Sequence, residues 1–479
     1  MAGADRTSDA PPSPGVIAAG AGALTMISLC FANGLQAGMT TTYSQATDVL
    51  KDVFHVNDAA LGVVPFAVSI VGNVTALGVA WFCARHARTK VLAAMFVIWG
   101  VFVAVAGLSP TSILGSSVLG FAFFVVARTA SASMEATDPA AYPLIADWWP
   151  VERRAAKISV FNTLSAVGAF AGLILGGVLI DNGQWRIAFV LWLPLALLGA
   201  ALIRSRVEPE RGAQDAAYGE RLEDETRDED HDLVVAVVEG EPPIEALSLA
   251  GLTQKGALAS LRAVSQLRSW RFAAVGFAVG GLMGNSLMTW GIPYFKRTFG
   301  LSGTEAAALA PLLGIGAFVG VLGGGFLADR LLERGMVRAR LYVAAVGFAG
   351  AGVFLIGAYS TTRLAVAAPL LAIGAGMSAL PVGPQYALMM DVTPAPLRSE
   401  AAAALNILLA SGAIGSLVTG GLSTLFGENL RLALLCMSPC YLVGAVIVLA
   451  ARTTYVEDVA LVVAEAKTRE SHSRGNREG

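Results

Sequence analysis

Stretches of about 20 mostly apolar residues, the length of one helical crossing of a bilayer's hydrocarbon core, recur from Val16 to Ala451 with short polar breaks between them. Twelve can be placed, near 16–41, 59–83, 91–108, 113–145, 157–180 and 186–203, and then near 271–293, 304–328, 341–358, 364–389, 399–425 and 431–450. Inside a bilayer no water is at hand to satisfy backbone N–H and C=O groups, so segments of this length are expected to be helices. The fold expected is an all-α membrane protein with twelve transmembrane helices. Composition agrees, since only 14% of the 479 residues are charged, against about 25% in soluble domains. A net charge of -2 leaves no basic excess with which to neutralise a phosphate backbone, so no nucleic-acid partner is expected. Cys30, Cys83, Cys436 and Cys440 lie in apolar stretches and read as buried thiols rather than a disulfide framework. The N-terminus, with Asp5, Arg6 and Asp9 before Pro14, lacks the basic region of a signal peptide, so the first apolar segment reads as a retained helix.

The expected organisation is a cytoplasmic tail at 1–15, a six-helix bundle at 16–203, an acidic cytoplasmic linker at 204–270, a second six-helix bundle at 271–451 and a cytoplasmic tail at 452–479. Glu208 to Asp232 holds eleven Asp and Glu, too polar a stretch to fold alone, and is expected to be largely dispensable. Leu258 to Leu267 reads as a short amphipathic helix on the membrane surface. Orientation follows from the cations of the short loops. Arg85, Arg88, Lys90, Arg153, Arg154, Lys157, Arg330, Arg334, Arg338, Arg340 and Arg398 share one side; Lys51, Arg186, Lys296, Arg297, Arg363 and Arg431 share the other. Eleven against six places both termini and the linker in the cytoplasm of a multi-pass plasma- or inner-membrane protein.

The two halves also repeat. Asp147, Pro150, Arg154, Asn162, Gly168, Gly176 and Gly177 recur at one offset of 244 residues as Asp391, Pro394, Arg398, Asn406, Gly412, Gly420 and Gly421. This is an internal duplication of a six-helix unit, the kind of parallel repeat from which transporters with a central site are built.

Ionisable residues inside a membrane helix are costly and persist mainly where they face a cavity or a partner. Arg128 and Glu135, seven residues apart, fall on nearly one helical face about 10.5 Å apart along the axis. Ser131, Asp138 and Tyr142 lie along or beside that stripe. The functional reading is a polar cavity in which Glu135 gains and loses a proton while Arg128 tunes it or holds an anionic group; the alternative is a charge pair locking helices. Asp138 is either a second coupling group or a cap for backbone freed at Pro139. Asn33, Gln36 and Thr40 on the first helix, Asn285, Thr289 and Trp290 on the seventh, and Gln385 and Tyr386 beside the breaks at Pro381 and Pro384 are candidate cavity walls, with Tyr142. Structural roles stand against three of these: interfacial anchoring for Trp290, and helix packing around the kink for Gln385 and Tyr386.

An enzyme is not expected. His55, His86, His231 and His472 all fall in loops or tails, which leaves no intramembrane pair to bind zinc. Gly314, Gly316 and Gly320 lie inside an apolar helix with no preceding strand, so they read as packing glycines rather than a nucleotide fingerprint. No cofactor or metal is expected.

The run Gly325-Phe326-Leu327-Ala328-Asp329-Arg330, with Arg334 and Arg338 after it, resembles the loop motif of the major facilitator superfamily, and the resemblance covers essentially the whole chain. The first-half copy, Ala80-Trp81-Phe82-Cys83-Ala84-Arg85, has Ala84 where the acid stands, although Arg85 and Arg88 remain. The resemblance implies two six-helix domains rocking about a central site, with Arg85, Asp147, Arg154, Asp329, Arg330, Asp391 and Arg398 as gating residues. Within the superfamily the chain resembles the Spinster-like group of lysolipid and sphingolipid transporters: Arg128 precedes Glu135-Ala136 by seven, and Tyr142 to Asp147, Trp290 to Pro293 and Asp391 to Arg398 also fit. Gln36-Ala37 stands where that group's first helix has an Asp-Arg pair, which leaves Glu135 to carry coupling alone. Leu173 replaces the proline of the drug-antiporter signature.

The resulting reading is a proton-coupled secondary active transporter, moving a small amphipathic or anionic organic solute, lysolipid-like solutes included, by alternating access. Its partners are membrane lipid, a small-molecule substrate and protons, and it is a monomer. The alternatives are a multidrug or metabolite efflux antiporter, a transport-dead membrane sensor or scaffold, and an intramembrane enzyme using Glu135 and Asp138 as acid and base.

Overall fold

The computed structural model describes residues 14–56, 58–224, 257–302, 305 and 308–478, and every regular element among them is helical. The first half contributes α1 (Pro14–Phe54), α2 (Asp58–Arg85), α3 (Arg88–Gly107), α4 (Ser117–Trp148), α5 (Val151–Asp181) and α6 (Trp185–Arg204). After two short helices, α7 (Ala213–Asp224) and α8 (Ala257–Val264), come α9 (Arg268–Phe299), α10 (Ala310–Glu333), α11 (Ala339–Ser360), α12 (Leu364–Asp391), α13 (Ala395–Leu425) and α14 (Leu430–Thr453). The chain ends in α15 (Tyr455–Glu478). Eleven of these helices are long and apolar enough to cross a membrane. α1, the first apolar stretch of the sequence, completes the set of twelve and packs along the length of α5.

Small residues make that packing close. A Cβ on Gly168 or Gly172 would run into the backbone of Gly34 or Gly38, so α1 and α5 touch main chain to main chain, as membrane helices with small residues at their interface do. Outward-facing apolar side chains such as Phe66, Val74, Val126, Phe170 and Val446 stay exposed, the surface that a bilayer covers.

The spanning helices are not uniform rods. Within α4, the α-helix Ser117–Ala130 gives way to a 3-10 turn at Ser131–Ala136 and resumes as Asp138–Trp148, while α12 breaks between Ala379 and Val382 at Pro381. Ala136 and Leu380 are 244 residues apart, so the two halves break at corresponding places. The 3-10 turn interrupts the α-helical spacing between Arg128 and Glu135, since that geometry turns and rises more per residue than an α-helix. Its cause is local. Ser131 Oγ donates to Arg128 O at 2.6 Å, Thr137 Oγ1 donates to Met134 O at 3.2 Å, and Pro139 follows Asp138 without an N–H.

The linker also departs from the expectation of a loose tether. Residues 213–224 form α7, which lies against α15, with Asp215 and Tyr218 buried. The acidic stretch folds because other elements supply what it lacks, namely arginines and an apolar face. Residues 225–256, where the rest of it falls, lie outside the described residues. The short helix expected at Leu258 to Leu267 is present as α8, and Ala263, Val264 and Leu267 are buried.

Candidate functional site

At the face of the bundle that carries the linker, four arginines with at most 2% side-chain exposure hold the halves together. Arg154, at the start of α5, gives Nε to Ala146 O at 3.1 Å and Nη1 to Asp391 at 3.3 Å. Its counterpart Arg398, at the start of α13's main helix, gives Nε to Met390 O at 3.0 Å and Nη1 to Asp147 at 3.1 Å. Each half therefore offers its arginine to the aspartate of the other, and the arrangement is its own image under exchange of the halves.

A second arginine backs each aspartate. Arg88, first residue of α3, pairs with Asp147 at 2.7 Å, and Arg340, early in α11, pairs with Asp391, which also accepts the Tyr455 hydroxyl at 3.2 Å. Arg340 further contacts Asp329 at 3.3 Å and donates to Val151 O across the halves. Asp329 in turn accepts from Ala155 N and Ala156 N at 3.2 and 2.7 Å, so it caps the first turn of α5 from the opposite half.

One layer deeper lie two tyrosines with the same 244-residue relation. Tyr142 and Tyr386 stack with centroids 3.9 Å apart and 21° between planes; their hydroxyls donate to Asn162 and Asn406 at 3.2 and 3.3 Å. Asn406 Nδ2 donates to Asp138 at 2.8 Å, so Asp138 of the first half meets the second half at this stack. Gln385 is buried next to Tyr386 in sequence.

Further from the linker face, buried Arg128 lines a cavity of about 150 Å³ with Thr40, Tyr43, Val64, Pro65, Val68 and Ser69, and its Nη1 donates to Ser131 Oγ at 2.5 Å. The backbone of Glu135 lies in the 3-10 turn that begins at Ser131, while its side chain lies outside the described residues. On the second half, Thr289 meets Ser416 Oγ at 2.9 Å and Trp290 Nε1 donates to Ser416 O at 2.9 Å; Thr289 and nearby Asn285 are exposed. On α1, Asn33 Nδ2 donates to Phe161 O at 3.1 Å, and Gln36 O accepts from Thr40.

The structure thus brings Asp147, Arg154, Asp329, Asp391 and Arg398 into one network, and Asp138, Tyr142 and Tyr386 into another. It does not bring in Arg85 or Arg330. Arg85 is exposed with its guanidinium 4.2 Å from the Trp81 ring centre, and Arg330 is exposed beside Arg153 and Lys157 on a cavity of about 600 Å³. Motif likeness favours Arg85 because it follows Ala84 as Arg330 follows Asp329. Geometry selects Arg88 instead, since at the start of α3 it reaches Asp147. In the sequence Arg88 stands out as a loop cation and a surviving residue of the first-half motif, Arg340 only as a loop cation, and Asn162 and Asn406 only as repeat markers. The common offset of Tyr142 and Tyr386 was the signal for their contact.

The linker supplies three more members of the network. Glu208 accepts from Arg88 Nε at 2.7 Å and from Thr89 N at 3.1 Å, Arg211 donates to the carbonyls of Cys83, Ala84 and His86, and Asp215 meets Arg154 and Arg398 at 2.8 and 2.7 Å. Burial pushes the Glu208 and Asp215 carboxyls up, but the facing arginines outweigh it and hold both below the ordinary carboxylate range.

The sequence pattern that defines the Major Facilitator Superfamily matches residues 26–415. The chain belongs to this superfamily. An MFS-type efflux pump of Mycolicibacterium smegmatis is 27% identical over 297 residues, covering 61% of this chain and 58% of the pump. Among solved structures, the transporter FucP in its outward conformation aligns with a TM-score of 0.65 at 15% identity, covering 89% of this chain and 98% of FucP. A bacterial homologue of the human lysosomal transporter Spinster, inward-facing and unoccupied, aligns with a TM-score of 0.49 at 18% identity, over 95% of this chain and 98% of the homologue.

Proposed function

We propose that this superfamily member is a proton-coupled secondary active transporter that carries a small amphipathic or anionic organic solute by alternating access. The observation that carries the reading is the self-imaging network at the linker face: buried, cross-half Arg–Asp pairs close one end of the bundle, and each pair must part for that end to open. Buried ion pairs suit a bistable gate, because desolvation offsets much of their attraction while they remain strongly orienting. The corresponding breaks in α4 and α12 put irregular backbone partway along the fourth helix of each half, and discontinuous helices are where transporters built from repeats form their sites.

Arg128 supplies the chemistry for an anionic group. A guanidinium buried in a membrane helix persists where it has a partner, and its planar fork suits a carboxylate or phosphate. The cavity of about 150 Å³ around it has room for such a headgroup, and Thr40, Tyr43 and Ser69 add hydroxyls at its wall. Glu135, on the adjoining 3-10 turn, is the proton carrier in this reading, with Asp138 beside the tyrosine stack as the second carboxyl on the path. The Spinster-like residues of α4 favour a lysolipid-like solute. The name of the mycobacterial relative favours efflux as the second reading. Both termini and the linker lie in the cytoplasm, as the loop cations indicate.

The test is gradient-driven flux in proteoliposomes beside a binding measurement on the same preparations. Glu135→Gln should abolish uphill transport while keeping substrate binding or exchange; Arg128→Ala should lose both. Full gradient-driven transport by Glu135→Gln would remove that residue from the coupling role, and loss in Asp138→Asn instead would move the role there. An absence of flux in every orientation and gradient would favour a sensor.

A further inference from the structure

Arg154 and Arg398 each have a second terminal nitrogen, and both turn it to the same carboxylate. Arg154 Nη2 lies 2.8 Å from Asp215 Oδ1, and Arg398 Nη2 lies 2.7 Å from Asp215 Oδ2. The two arginines are the duplicated pair, one from each half, and both are fully buried, with Asp215 2% exposed between them. One linker side chain therefore sits where the two halves meet and gives one oxygen to each.

The residues before Asp215 fix it there. Glu208 is tied to Arg88 and to the first turn of α3, and Arg211 caps the end of α2 through the carbonyls of Cys83, Ala84 and His86. Gly212 N donates to Asp147 at 3.1 Å. Gly212 adopts φ +78°, a conformation that L side chains rarely take, and an added Cβ would stand 3.2 Å from Ala395 Cβ of the second half. After Asp215, α7 packs on α15, and Arg221 reaches Glu152 at 3.1 Å.

We propose that segment 208–215 is a working part of the gate, with Asp215 as the shared anion that must leave at least one arginine before the linker face can open. The inference rests on the alternating-access reading above and adds to it a residue set outside both bundles. Its physical basis is simple: if the halves part, Arg154 and Arg398 move apart, and one carboxylate cannot follow both. Removal of its charge leaves two buried guanidinium edges facing each other without an acceptor, which disfavours the closed state and shifts the population towards the open one.

Cys83 reports the opening. Its thiol is fully buried on α2, beneath the Arg211 cap, where α2 meets the first turns of α13 across the halves. In full-length purified protein carrying Cys30→Ala, Cys436→Ala and Cys440→Ala, the rate of Cys83 labelling by a membrane-impermeant maleimide should rise about tenfold in Asp215→Asn. Asp215→Glu should fall between the two. In a parallel background that keeps only Cys30, buried on α1, the labelling rate should not change, which separates gate opening from general loosening. If Asp215→Asn cannot be recovered folded, Arg211→Gln releases the same segment and should accelerate Cys83 labelling likewise. An unchanged Cys83 rate overturns the proposal. If Asp147→Asn labels faster in that same experiment, alternating access survives the failure; if Asp147→Asn is also unchanged, both readings fall.

Discussion

The two corners of the buried Arg–Asp network are built alike from different materials. In the second half, Asp391 is backed by Arg340, which is braced by Asp329 from the same half's own loop motif. In the first half, Asp147 is backed by Arg88, but the motif's acid is missing at Ala84, and the brace is Glu208, brought in by the linker. Arg211 then covers the end of α2, where Ala84 lies. The comparison shows that a degraded motif need not mean a degraded network, since a carboxylate stands beside the arginine in both corners, whichever part of the chain provides it.

The largest effects should come from the shared centre, where the corners are alike. Arg154→Ala and Arg398→Ala each strand buried carboxylates, a loss of about 3–5 kcal/mol, and should lower thermal stability and abolish transport to the same extent. A mild phenotype in one and a severe one in the other would break the equivalence of the halves.

Next in size is the substitution that tells the corners apart. Glu208→Gln should weaken the first-half corner by about 1–3 kcal/mol, and a second change, Ala84→Asp, should restore part of the loss by returning an acid to the motif position. Asp329→Asn in the second half should not be rescued by Ala84→Asp. Thermal melting and Cys83 labelling of the single and double variants decide this, and a strictly additive double variant would rule out substitution of one acid for the other.

The pH dependence separates this network from the helix α15 behind it. The lowered Glu208 and Asp215 carboxyls contribute stability that is present above the ordinary carboxylate range and lost as pH falls through their folded-state values. Between about pH 5 and 8 these two groups should therefore leave the melting temperature flat. Asp458, at the start of α15, is raised by burial despite the hydrogen bond it accepts from Ser269 N, so its effect has the opposite sign: stability is lost as pH rises from the ordinary carboxylate value through the folded one. Asp458→Asn should remove that slope and leave the acid limb untouched.

The smallest effects should be those of Arg85→Ala and Arg330→Ala, each within about 0.5 kcal/mol, as is usual for exposed sites. A loss of transport in Arg85→Ala would place it in the gate after all.

How much of this was legible depends on where the determining neighbours lie. The helices and the duplication could be read because hydropathy and a fixed offset are properties of the sequence alone, and Asp147, Arg154, Asp391 and Arg398 came with that offset. The 3-10 turn between Arg128 and Glu135 could not be read from periodicity, because it is set locally by Ser131, Thr137 and Pro139. Glu208 and Asp215 could not be recognised, since by composition they belong to an acidic tether; their order comes from Arg88, Arg154 and Arg398, residues 61 to 183 positions away.

The stacked tyrosines and the crossed Arg–Asp pairs are the contacts that a twofold homodimer makes, in which a patch on one subunit meets the same patch on the other. A single carboxylate on such an axis would appear twice in a dimer of six-helix subunits and collide with its own copy. Asp215 can occupy the axis only because the two units share one chain and one connection between them. Fusion of the repeats did more than hold them at high local concentration: it opened a position that symmetry had forbidden, and the segment joining the copies now fills it.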